Sequence, residues 1–103
     1  MINMIPKVQT DTDHLFREIV KKHSSRIYNL ALMKCNQVTL AEDISQETFI
    51  RVYKGLHNFR DDSHIGTWIY RIALNVCHTM IKKESLLSSR LVPIEDRADL
   101  EPE

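Results

Sequence analysis

Two segments of the 103-residue chain gather side chains that could do chemistry. In the first, residues 41–49, the carboxylates of Glu42, Asp43 and Glu47 and the amide of Gln46 lie on and beside one exposed helix face. Such a face is either only solvated or suited to docking against a basic groove or helix pair of a partner. In the second, residues 59–83, a polar loop leads into Thr67-Trp68-Ile69-Tyr70-Arg71-Ile72-Ala73-Leu74-Asn75. Ile69, Ile72, Ala73 and Val76 should face a core, which leaves Tyr70, Arg71, Asn75, His78, Thr79 and Lys82 on other faces. Aromatic, Arg and Asn side chains are the set needed to stack on unpaired bases, hold phosphates and hydrogen-bond base edges. Trp68 fits the role of core anchor as well as that of base platform.

Catalytic patterns are missing: no nucleophile beside a base, carboxylate pair, phosphate-cradling glycine loop or metal cluster stands at a convincing spacing. The five histidines (His14, His23, His57, His64, His78) are scattered over helix ends and loops. Cys35 and Cys77 have no CxxC or Cys/His ligand spacing, which reads as buried free thiols in a reducing compartment. The expectation is therefore no enzyme, no cofactor and no metal. Residues 1–8 hold no long apolar run, so they read as neither signal peptide nor membrane span, and a cytoplasmic protein without membrane insertion is expected.

These side chains need helices to position them. Hydrophobic residues make up 43% of the chain with only two Gly and three Pro, which favours an all-α fold. Leu15, Phe16, Ile19 and Val20 mark a short helix over 13–22; His23-Ser24-Ser25 interrupts it, and Ile27, Tyr28, Leu30, Ala31 and Cys35 resume the stripe on a second helix. Thr39-Leu40-Ala41-Glu42 has the form of a capping box, opening a third helix with the stripe Leu40, Ile44, Thr48, Val52 and Leu56, widened by Phe49 and Tyr53. Residues 58–66 read as a loop, and a fourth helix runs from Thr67 to Lys83. Beyond Glu84 the periodicity fails, which predicts a linker or tail, although Leu86, Leu87, Leu91, Val92 and Ile94 could dock onto the body. Charge divides at the same place. The formal net charge is zero, yet residues 1–83 hold twelve Lys/Arg against eight Asp/Glu, and residues 84–103 hold two against six.

The order of these segments closely resembles region 2 of the extracytoplasmic-function (ECF) sigma factors, members of the sigma-70 family. The resemblance is carried by residues 15–20 and 26–31, by Ala41-Glu42-Asp43-Ile44-Ser45-Gln46-Glu47-Thr48-Phe49, and by Phe59-Arg60 followed by residues 67–75. It implies a compact bundle of about four helices that binds core RNA polymerase through the β′ clamp helices, with Asp43, Gln46 and Glu47 at the docking positions. It also implies recognition and melting of the minus-ten promoter element, with its non-template strand held by Phe59, Ser63, His64, Trp68, Arg71 and Asn75. Lys82 and Lys83 would add phosphate attraction. Capture of flipped bases would offset the cost of unpairing, so melting needs no catalytic residue. An anti-sigma factor is a further partner that such proteins usually have.

Three regions follow: an N-terminal extension over 1–12, the sigma region 2 domain over 13–83, and an acidic linker or tail over 84–103. Full-length members continue into a region 4, so the chain reads as a fragment or truncated product. The rival is a helical protein–protein regulatory module that uses the acidic face without touching DNA.

Overall fold

The computed structural model describes residues 7–59 and 64–90, which form three helices: α1 (Lys7–Cys35), α2 (Val38–Leu56) and α3 (Ile65–Arg90). The all-α expectation holds, with three helices where four were expected.

The difference lies in α1, which runs unbroken through His23-Ser24-Ser25. Serine costs a helix only a few tenths of a kcal/mol relative to good formers. Against that stands a stripe whose phase survives the interruption. Ile19, Ile27, Leu30 and Ala31 are all buried, with Phe16, Val20, His23 and Tyr28 half-buried along the same side. One continuous helix buries both halves of the stripe.

Asn36 reverses the chain in the left-handed region at φ 58°, a conformation that Asn tolerates better than most residues. Its N–H donates to Leu32 O at 2.7 Å, and the Cys35 thiol donates to Gln37 O at 3.3 Å, bracing a two-residue connection. The extended residue before α2 is accordingly Gln37, at φ −141°, and no side chain caps the helix. The capping box expected at Thr39 and Glu42 is not formed, because Thr39 already lies inside the first turn.

The α2 stripe Leu40, Ile44, Thr48, Val52 and Leu56 is buried as expected, with Phe49 and Ala41 beside it, whereas Tyr53, expected to widen it, is exposed. Thr48 is a fully buried polar residue whose hydroxyl donates to Ile44 O at 2.7 Å, so it carries no unmet hydrogen bond. Gly55 serves packing. A Cβ there would stand 3.1 Å from Trp68 Cζ2, so the missing side chain lets the indole close on α2.

α3 begins two residues before Thr67 and continues past the expected end at Lys83 to Arg90. Ile69, Ala73, Val76 and Cys77 are buried along it. From Lys82 to Ser88 every side chain is exposed, including Leu86 and Leu87. The apolar periodicity fails there because the stretch buries no side chain among the described residues. The helix persists because extending it adds a hydrogen bond per residue without a new nucleation cost. The segment expected to be a tail from residue 84 is thus helical as far as Arg90; residues 91–103 lie outside the described residues.

The core has two lobes that share Ile72 at their boundary. One joins Ile19, Ile27, Leu30, Phe49, Val52, Leu56, Ile69 and Ala73, and the other joins Ala31, Leu40, Ala41, Ile44, Val76 and Cys77 around the α1–α2 turn. No helix among the described residues is long and apolar enough to cross a membrane.

Candidate protein and nucleic-acid interfaces

On α2, the burial of Leu40, Ile44, Thr48 and Val52 on one side turns Asp43 and Gln46 outward. Glu47 is half-buried and accepts from Arg51 Nε at 2.9 Å, an i, i+4 pair. Asp43, Gln46 and Glu47 are therefore brought together on one flank, with part of its charge already neutralised. An apolar groove of about 700 Å³ opens beside Gln46, between α1 and α2, walled by Phe16, Val20, Phe49, Ile50 and Tyr53. Tyr53 closes its rim by stacking edge-on against Phe16 at 5.1 Å and donating its hydroxyl to Asp13 Oδ1 at 2.8 Å. That hydrogen bond is the first cause raising the Tyr53 pKa above 10.0. An ionised face beside apolar surface is suited to a protein partner.

The expected nucleic-acid residues fall into three groups. Trp68, Arg71, Asn75 and Lys82 follow one another at three-, four- and seven-residue steps, so they form one stripe on α3. Arg71, Asn75 and Lys82 are exposed, while Trp68 is half-buried and its ring meets that of Phe59 at 5.0 Å, tilted 38°. Both rings pack on the larger core lobe, so Trp68 is a core anchor in this structure, with one side left to solvent. His64 is exposed at the head of α3 and accepts the Trp68 N–H through its backbone carbonyl. Ser63 lies outside the described residues.

Lys83 stands apart. It lines a cleft with Asp43, Glu47, Arg51 and Leu87, on the carboxylate flank. Its position could have been foreseen, because Lys83 continues the core-facing series Ile69, Ile72, Val76 and Met80 and must turn toward α2, whereas Lys82 continues Asn75.

Lys22, His23 and Arg26 on α1 were not singled out in the sequence. With His64, Gly66 and Thr67 they line a further cleft between α1 and the head of α3. A basic i, i+4 pair was the available signal. An expected helix break at residues 23–25 hid it by assigning Lys22 and Arg26 to different helices.

Among the described residues no three His, Cys, Asp or Glu side chains are grouped to hold a metal. Cys77 is buried and Cys35 half-buried, both unpaired by disulfide, and burial is the first cause pushing the Cys77 thiol pKa up.

Three packed helices carrying two flanks of different chemistry define a helical binding domain. The chain belongs to the Sigma-70 region 2 family, whose profile matches residues 19–86. It is similar to RNA polymerase sigma-H factor of Pseudomonas aeruginosa, with 38% identity over 70% of this chain and 37% of that protein. It is also similar to the ECF RNA polymerase sigma factor SigW of Bacillus subtilis, with 36% identity over 78% of this chain and 43% of that protein. SigE of Mycolicibacterium smegmatis, another ECF RNA polymerase sigma factor, is 33% identical over 74% of this chain and 29% of its own length. The chain thus spans less than half the length of these relatives. The family is a non-enzymatic one, and the resemblance to ECF sigma factors stands.

Proposed function

We propose that the chain is the part of an ECF sigma factor that docks on core RNA polymerase and captures the melted minus-ten element during transcription initiation. The observation that carries the reading is the family match over residues 19–86, which includes both flanks. Asp43, Gln46 and Glu47 meet the β′ clamp helices, and the neighbouring apolar groove suits a partner that buries hydrophobic surface there. Phe59, Ser63, His64, Trp68, Arg71 and Asn75 receive the non-template strand, with Lys82 drawing on its phosphates. Lys83 takes part in this phosphate attraction only from the α2 side, and its place beside Asp43 and Glu47 suits the polymerase contact better. An anti-sigma factor is a further partner, and the site of action is the cytoplasm.

A pull-down with core polymerase tests the docking. Asp43→Ala and Gln46→Ala should each weaken binding while leaving the helical circular dichroism unchanged, and full affinity in both would remove the docking role. Restored to full-length context, Asn75→Ala should reduce permanganate-detected promoter opening more than polymerase binding. Equal opening would favour the rival module that binds proteins alone.

A further inference from the structure

The two cysteines stand at the same level of the bundle. His23 on α1 lies beside Gly66 on α3, its Cε1 3.7 Å from where a Cβ on that glycine would stand. Eleven residues further along both helices, Lys34 and Cys77 line one cleft. α1 and α3 therefore run parallel and in step over about three turns, which places Cys35 within one residue's rise, about 1.5 Å, of the level of Cys77. Both thiols belong to the core lobe around the α1–α2 turn. Cys77 is part of its buried set, and Cys35 packs against that set together with Tyr28, Ile72 and Met80. Their access to solvent differs. Cys77 is only 2% exposed, whereas Cys35 is half-buried and its thiol is held by a long, weak hydrogen bond to Gln37 O at 3.3 Å. Burial first, then the neighbouring Cys35, push the Cys77 thiol pKa up, with Lys34 partly offsetting them. Two free thiols of unequal reactivity thus share one lobe.

We propose that Cys35 and Cys77 form a pair oxidised by hydrogen peroxide, closing to a disulfide that ties the end of α1 to α3. Cys35 reacts first, because its sulfur is the one that solvent reaches. Its thiolate attacks one oxygen of the peroxide, the O–O bond breaks and hydroxide leaves, so that the sulfur becomes a sulfenic acid, oxidised by two electrons as the peroxide is reduced by two. The Cys77 sulfur then attacks the Cys35 sulfur; the S–S bond forms as the S–O bond breaks, and the hydroxyl leaves as water with the Cys77 proton. Two thiols and one peroxide give one disulfide and two waters. The fold asks for little movement. Cys35 is the last residue of α1, followed by the left-handed Asn36, so its side chain can leave Gln37 O and turn into the lobe without displacing the rest of the helix. A pair of this kind suits a compartment that keeps thiols reduced, where a disulfide forms transiently and reports the oxidant. The inference stands apart from polymerase docking and strand capture. The bridge would nevertheless clamp the lobe that holds Leu40, Ala41 and Ile44, and with it the part of α2 from which Asp43 projects.

The test is treatment of the chain with a slight excess of hydrogen peroxide, followed by intact mass measurement and a peptide map made without reductant. The parent should lose the mass of two hydrogens, remain a monomer and yield a cross-linked Cys35–Cys77 peptide that dithiothreitol separates. Its thermal midpoint should rise by on the order of 10 °C on oxidation and return on reduction, as closing a loop of roughly forty residues predicts. Cys77→Ala should stop at a Cys35 sulfenic acid, trapped by dimedone. Cys35→Ser should leave Cys77 unoxidised over the same time. The serine variant is made at a half-buried helix end, so an unchanged circular dichroism spectrum verifies its fold independently of the Cys77 variant. Separate oxidation of the two thiols with no cross-link would overturn the proposal. So would a Cys35–Cys35 bridge between two chains, or thiols that stay reduced where free cysteine is fully oxidised. A cross-link that lowers the midpoint would show that the native fold must distort to form it, and would also remove the pair. Rapid oxidation of Cys77 in Cys35→Ser would overturn the order of attack.

Discussion

The carboxylate flank of α2 and the basic cleft between α1 and α3 differ in how they are built. Asp43, Gln46 and Glu47 come from little more than one turn of a single helix, and Arg51 of the same helix offsets part of their charge. The cleft takes Lys22 and Arg26 from one helix and His64 and Tyr70 from another, some forty residues away. A single-helix flank keeps its geometry for as long as the helix forms. A cleft between helices exists only while the core between them is packed, so its charge constellation depends on residues that never touch a ligand.

The largest effect should come from breaking that packing. Ile69 is fully buried between the core and the cleft wall. Ile69→Ala should cost about 2–5 kcal/mol, the range for removing a buried aliphatic side chain. Urea unfolding followed by circular dichroism would measure it. A cost below about 1 kcal/mol would mean that the cleft wall collapses freely, and the contrast between the flanks would lose its basis.

A smaller effect is expected at the contact between α2 and α3. With Gly55 already 3.1 Å from Trp68 at the position of a first side-chain carbon, Gly55→Val must displace the indole. Overpacking of this kind costs about 1–3 kcal/mol. Trp68 fluorescence should change in step with stability. An unchanged emission spectrum with full stability would show that the indole does not rest on α2.

The same difference explains what could be read from the residues alone. The stripes Leu40, Ile44, Thr48, Val52, Leu56 and Ile69, Ile72, Ala73, Val76 are local periodicities, so they announce both the helices and the faces turned away from the core. The flank of Asp43, Gln46 and Glu47 and the stripe of Arg71 and Asn75 follow directly. Features decided by tertiary burial do not. His23-Ser24-Ser25 looks like a break until Ile19 and Ile27 are found buried on one line. Glu84 to Ser88 look like linker because every side chain of that helical stretch is exposed and no apolar stripe is buried there. The start of α2 depends on the left-handed Asn36, which moves the extended residue to Gln37 and leaves Thr39 no part as a cap.

The smallest effect is also the most direct reading of charge in the cleft. The His23 pKa is lowered from 6.5 by burial first and by Lys22 and Arg26 next. Above pH 6.5 the imidazole is neutral in folded and unfolded chains alike, and its contribution to stability is fully present. As pH falls below 6.5 the unfolded chain takes up the proton first, so stability declines until the folded-state pKa is passed. The ring is only half-buried, so the change in stability should be slight, and the imidazole NMR shift is the better observable. Around His23 stand Lys22 and Arg26 on its own helix and His64 and Tyr70 across the cleft. Lys22→Gln with Arg26→Gln should raise the His23 pKa only partway to 6.5, because burial, the larger cause, remains. A titration curve indifferent to that change would mean that burial alone sets the imidazole, and that the two cations do not act on the ring.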